Sequence, residues 1–165
     1  MPEEDVVAQN QTGRRAVQKL AADPERIGLK LRTGGSDAAA IPTGMQVASA
    51  LSACRDAGIP LKLTAGLHQP LRHSDAALHA DLHGFLNVLV AGVLKYARGV
   101  DEATTGEVLE ERSPEAFTFS DASLRWRDLE AAFDEIDEAR TEFMLSFASC
   151  SFDEPRETLR KLKLL

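Results

Sequence analysis

The chain has 165 residues, enough for one domain that buries about 70% of its unfolded surface without disulfide or metal staples. With 44% hydrophobic and 27% charged residues, it fits neither wholesale disorder nor a fibrous repeat. A formal charge of −7 with one Trp and one Tyr argues against holding nucleic acid by phosphate neutralisation and base stacking.

The longest apolar run, Phe85 to Leu94, contains Asn87 and falls far short of the roughly 18 residues of a membrane helix, so no membrane partner is expected. Met1-Pro2-Glu3-Glu4-Asp5 is acidic where a signal peptide is basic and then apolar. Cys54 and Cys150 form no disulfide framework, and a cytoplasmic location is the expectation.

Residues 1–26 read as an N-terminal helical lead-in, with weak helical spacing from Gln11 to Leu20, and residues 27–165 as one α/β domain. Ile27-Gly28-Leu29-Lys30-Leu31-Arg32 alternates as a strand does and stops at Thr33-Gly34-Gly35-Ser36. Val47, Ala50, Leu51 and Cys54 recur at helical spacing within Gly44 to Ala57, and Gly58 stands where a helix C-terminus favours glycine. Ile59 to Gly66 reads as a second strand.

After a polar stretch from Leu67 to Asp81, Phe85 to Tyr96 reads as a buried helix ended near Gly99. Val100 to Glu115 reads as an acidic connector, and Phe117 and Phe119 suggest a hairpin within Ala116 to Trp126. Leu129, Ala132, Phe133, Ile136 and Phe143 set an amphipathic helix starting after Asp128. Met144 to Phe152 reads as a strand, and Asp153-Glu154-Pro155 opens a last helix running to about Leu164.

Two strands joined by one helix form a parallel βαβ unit, and parallel sheets are ordinarily apolar on both faces. Here Lys30 and Arg32 lie opposite Leu29 and Leu31, and Lys62 and Thr64 lie opposite Leu61 and Leu63. A (β/α)-barrel or half-barrel of mainly parallel strands accommodates this, because inward faces carry functional groups near the strand C-termini; the alternative is an open α/β sheet. A complete barrel takes about 250 residues. A half-barrel has two open edges, so self-association is expected.

Four runs together resemble an uncharacterised family of bacterial proteins. They are Lys30-Leu31-Arg32-Thr33-Gly34-Gly35, the stretch from Lys62 through Thr64-Ala65-Gly66-Leu67-His68-Gln69-Pro70 to Arg72-His73, His83-Gly84-Phe85-Leu86-Asn87-Val88, and Ser149-Cys150-Ser151-Phe152-Asp153-Glu154-Pro155. Members are roughly twice this long, and the likeness runs from Ile27 to the C-terminus, matching their C-terminal half. The resemblance implies a cytoplasmic α/β protein and carries no activity.

The candidate site lies at the strand C-termini, where α/β ligand sites form. Lys30, Arg32, Thr33, Gly34, Gly35, Thr64, Arg72, His73 and Asn87 are its candidate substrate-binding residues, and Lys62, His68 and His83 its candidate catalytic ones. The lysine pair is similar in layout to deoxyribose-phosphate-type aldolases, in which one lysine forms a Schiff base beside another; binding a carboxylate or phosphate is the simpler use of the same pair. Lys62 would polarise or attack a carbonyl, and His68 or His83 would move a proton.

Metal is not required. The alternative is a divalent ion at His68 and His83, or on a helix face shared by His79 and His83. Asn87 either satisfies a core network or faces the site, and Cys150 is either a small filler or a lowered-pKa thiol. The expected ligand is a small anionic, carbonyl-bearing metabolite. The competing reading is a non-catalytic truncated barrel that binds a ligand or oligomerises.

Overall fold

Leu29, Leu31, Leu61 and Leu63 have to leave water while the residues between them do not, and that requirement sets the sheet. The computed structural model describes residues 28–149, 151 and 153–164; the lead-in expected over residues 1–26 and the role of Cys150 lie outside them. Strand β1 (Leu29–Arg32) pairs in parallel with β2 (Leu61–Thr64), and β2 pairs in parallel with β8 (Met144–Ala148). Helix α1 (Gly44–Ala57) makes the crossover between β1 and β2. Thr43 and Gln46 close a reciprocal capping box at its start, and Gly58 ends it at φ 64°.

One face of this sheet packs on helices and the other is open. Leu61 and Leu63 are fully buried against a core that includes Val47, Leu51, Val88 and Ala91, while Lys30, Arg32, Lys62 and Ser146 on the opposite face are exposed. Helix α2 (Phe85–Arg98) is buried along most of its length, as its sequence predicts, and Gly99 ends it at φ 61°. Cys54 is sealed in the same core, where burial pushes its thiol up to about 12.

Elsewhere the structure corrects the sequence-based expectations. The supposed connector after Val100 contains helix α3 (Glu102–Glu110), capped by the Asp101 carboxylate on the Thr104 N–H and buried through Thr105, Val108 and Leu109. The polar stretch before Asp81 folds into the hairpin of β3 (His73–Asp75) and β4 (Ala80–Leu82). The expected hairpin near Phe117 is present as β5 (Phe117–Phe119) and β6 (Ser123–Trp126), but a third strand, β7 (Leu129–Ala132), extends it into a meander.

The amphipathic helix α4 therefore begins at Phe133 and ends at Glu142, not directly after Asp128. Its first two apolar positions pair with β6 instead, Leu129 against Trp126 and Ala132 against Ser123. The last helix, α5 (Asp153–Lys161), has its acids in the first turn and Arg160 and Lys161 in the last. Among the described residues the parallel sheet has three strands and two free edges, β1 and β8, and does not close into a barrel. No helix of the described residues is long and apolar enough to cross a membrane.

Candidate anion-binding site

In-register parallel pairing sets Lys30 directly beside Lys62 and Arg32 beside Thr64, on strands about 4.8 Å apart. The two lysines consequently project from the same face at the same level. Among the described residues neither has a hydrogen-bond or ion-pair partner. Five arginines differ: Arg72, Arg98, Arg112, Arg125 and Arg127 each meet a carboxylate. In a chain of net charge −7, two adjacent unpaired ammonium groups form a ready point of attraction for an anion.

The strand ends beyond the lysines are stitched together. The Thr33 hydroxyl is fully buried and spans the Ala65 and Thr64 carbonyls at 2.8 and 3.2 Å. Gly34 lies so close to Gly66 that a Cβ on Gly34 would sit 2.6 Å from the Gly66 Cα. Thr33 and Gly34 thus hold the two loops side by side. Arg32 donates from Nε to the Gly34 carbonyl at 2.7 Å, which turns its guanidinium toward a shallow depression of about 490 Å³ bounded by Ala38–Thr43 and Gln46. Gly35 packs beside this guanidinium.

His68 leaves the end of β2 half-buried, with Nδ1 3.5 Å from the Ser149 hydroxyl and 3.6 Å from a Glu154 carboxylate oxygen. This geometry leaves Nε2 as the ring atom that a ligand would meet. In the sequence Ser149 falls inside the strand expected over Met144 to Phe152 and Glu154 in the first turn of the last helix, whereas the strand ends at Ala148; their approach to His68 depends on β8 lying beside β2.

Arg72, His83 and Asn87 do not join the lysines. They form a separate buried network between α2 and α3. Asn87 accepts the Arg72 backbone N–H at 2.9 Å and donates to the Val108 and Glu111 carbonyls at 2.8 and 2.7 Å. Arg72 donates from Nε to Glu110 at 3.1 Å and lies 3.2 Å from His83 Nδ1. Because guanidinium can only donate, Nδ1 accepts, and His83 carries its proton on Nε2, which donates to the Pro42 carbonyl at 2.7 Å.

Both ring nitrogens of His83 are therefore engaged, and the side chain is fully buried. His73 is held by its own Leu71 carbonyl at 2.9 Å. His79 occupies the β3–β4 turn at φ 49°, so it shares no helix face with His83. Among the described residues, no group of three or more His, Cys, Asp or Glu stands together as a metal-holding set.

Burial, reinforced by the Arg72 charge, holds the His83 pKa below its ordinary value, against the opposing pull of the Pro42 hydrogen bond and Glu110. The unfolded chain binds the proton first as pH falls, so this residue draws the equilibrium toward unfolding below about pH 6.5. Stability from denaturant melts should fall with a slope approaching about 1.4 kcal/mol per pH unit per proton. His83→Gln should be less stable at neutral pH and should lose that part of the slope.

No protein-family model, curated protein or solved structure matches the chain.

Proposed function

We propose that the open face of the parallel sheet binds a small anionic metabolite bearing a carbonyl group, and that the domain acts on it. The carrying observation is the in-register pair Lys30 and Lys62, exposed and unpartnered among the described residues. Lys30 and Arg32 hold the carboxylate or phosphate. The Lys62 amine adds to the carbonyl, and loss of water leaves an imine. His68, oriented through Nδ1 by Ser149 and Glu154, moves protons from Nε2. Arg72, His83 and Asn87 hold the segment that follows His68 against α2 and α3.

In this reading the sheet is a barrel segment whose inward face is the site, in a cytoplasmic protein, and its free edges associate with a second copy. One observation favours a purely binding role instead: the lysine face lies open to solvent, whereas carbonyl addition profits from exclusion of water.

Incubation with pyruvate and cyanoborohydride, followed by peptide mass spectrometry, separates the two. An adduct on Lys62 that Lys30→Ala reduces about tenfold supports the enzyme. Saturable pyruvate binding without adduct supports the binding role, and absence of both overturns the site.

A further inference from the structure

The helix-covered side of the sheet holds a second concavity, remote from the lysines. Phe147 is in register with Leu63, whereas Ser146 is in register with Lys62, so the surface that Phe147 lines belongs to the opposite face. There a cleft of about 880 Å³ opens between α2, the meander, α4, the end of β8 and α5. That size lies within the range of about 300–1,000 Å³ typical of small-molecule sites.

Its walls are hydrocarbon, chiefly Leu86, Leu89, Phe119, Leu124, Ile136 and Phe147. Phe147 is fixed by stacking on Phe85, with ring centroids 5.4 Å apart. Phe119, at the cleft, remains 40% exposed. Folding ordinarily fills such spaces with side chains.

The rim supplies the polar end. Arg140, on α4, lines the cleft and is exposed. Among the described residues no carboxylate or carbonyl pairs with it, although α4 is rich in acids: Glu135 pairs with Arg98 and Glu138 with the Tyr96 hydroxyl. Ser123 and Ser149 add hydroxyl groups at the same cleft. The other guanidinium at the cleft, Arg156, lies 3.7 Å from the Asp153 carboxylate; an apolar slot with Arg140, unpaired among the described residues, at its rim complements a hydrocarbon chain or ring carrying a single carboxylate.

We propose that this cleft is a binding site for a small amphipathic carboxylate, an aliphatic or aryl acid, with its hydrocarbon against Leu89 and Ile136 and its carboxylate on Arg140. The cleft opens on the opposite face of the sheet from the lysines and does not require that face to be catalytic, although Ser149, which lines it, also stands 3.5 Å from His68.

Calorimetric titration of the full chain with decanoate below its micelle concentration, and with decanol as the uncharged analogue, tests it. Saturable one-to-one binding of decanoate is expected, with Arg140→Ala weakening it about fivefold while leaving decanol unchanged. Leu89→Trp, which fills the slot, should remove both, and Lys30→Ala neither. Arg140 is exposed, so its substitution keeps the test valid even if Leu89→Trp fails to fold. No saturable binding, or decanoate binding indifferent to Arg140→Ala, overturns the proposal. So do nuclear Overhauser contacts placing residues 1–27 on the Leu89 and Ile136 methyl groups, because the chain would then fill its own cleft.

Discussion

Asn87→Ala is expected to cost about 3–5 kcal/mol of folding stability, because it leaves several buried groups unsatisfied at about 1–3 kcal/mol each. The amide accepts the Arg72 N–H and donates to the Val108 and Glu111 carbonyls. It therefore ties the segment before the β3–β4 hairpin to the C-terminal turn of α3. The same segment is held to the start of α2 by the Phe85 N–H on Gln69 and the Leu86 N–H on Pro70.

Losing the amide also frees the Arg72 backbone, and with it the guanidinium that spans Glu110 and His83. A domain of this size is stable by about 5–15 kcal/mol, so the loss is a large fraction of the whole. Urea melts of wild type and variant check it. A midpoint shift worth less than about 1 kcal/mol would mean that water replaces the amide at little cost.

Gly34→Ala is expected to destabilise by about 3 kcal/mol, the upper end of ordinary overpacking, and to abolish anion binding on the lysine face. A Cβ there would meet the Gly66 Cα at 2.6 Å, the Gly66 nitrogen at 2.8 Å and the Ala65 carbonyl carbon at 2.9 Å. All three are backbone atoms, so no side chain can rotate away. The ends of β1 and β2 have to separate, and the Thr33 stitch and the Arg32 tether on Gly34 go with them.

Gly58→Ala is the matched control. Nothing lies within 4 Å of its added Cβ, and only its φ of 64° costs, about 1–2 kcal/mol. Melts of both variants with phosphate titrations should show a larger loss for Gly34→Ala and loss of binding for it alone.

The helices that the sequence reveals most clearly are α1 and α2. Their apolar positions recur over 14 residues each, and Gly58 and Gly99 mark their ends. Helix α3 was hidden because Thr104, Thr105 and Gly106 weaken its propensity, and of its buried positions Thr105 and Gly106 give no apolar signal. Strand β7 was hidden for a different reason. Leu129, Ala132, Phe133 and Ile136 fit a helical period, and only pairing with β6 assigns the first four positions of that run to a strand.

The site shows the same division. Alternation alone placed Lys30, Arg32, Lys62 and Thr64 on one face of two adjacent strands, and the structure sets them there in register. Spacing along the chain could not distinguish His68, which stays half-buried beyond the C-terminal end of the central strand, from His83, whose two nitrogens are consumed by Arg72 and Pro42. Nor could it foresee Glu154 approaching His68 from 86 positions later in the chain.

What the sequence determined by itself is local: which residues form strands and helices of regular period, where glycine ends them, and which side chains share a strand face. Those properties depend on repeat distances of two and 3.6 residues, and a one-dimensional string records them directly. Tertiary structure decided what faces water, which polar groups are satisfied internally, and where the apolar cleft beside Arg140 opens. Each of these depends on segments far apart in the chain meeting in space, as β8 meets β2 and α3 meets Asn87.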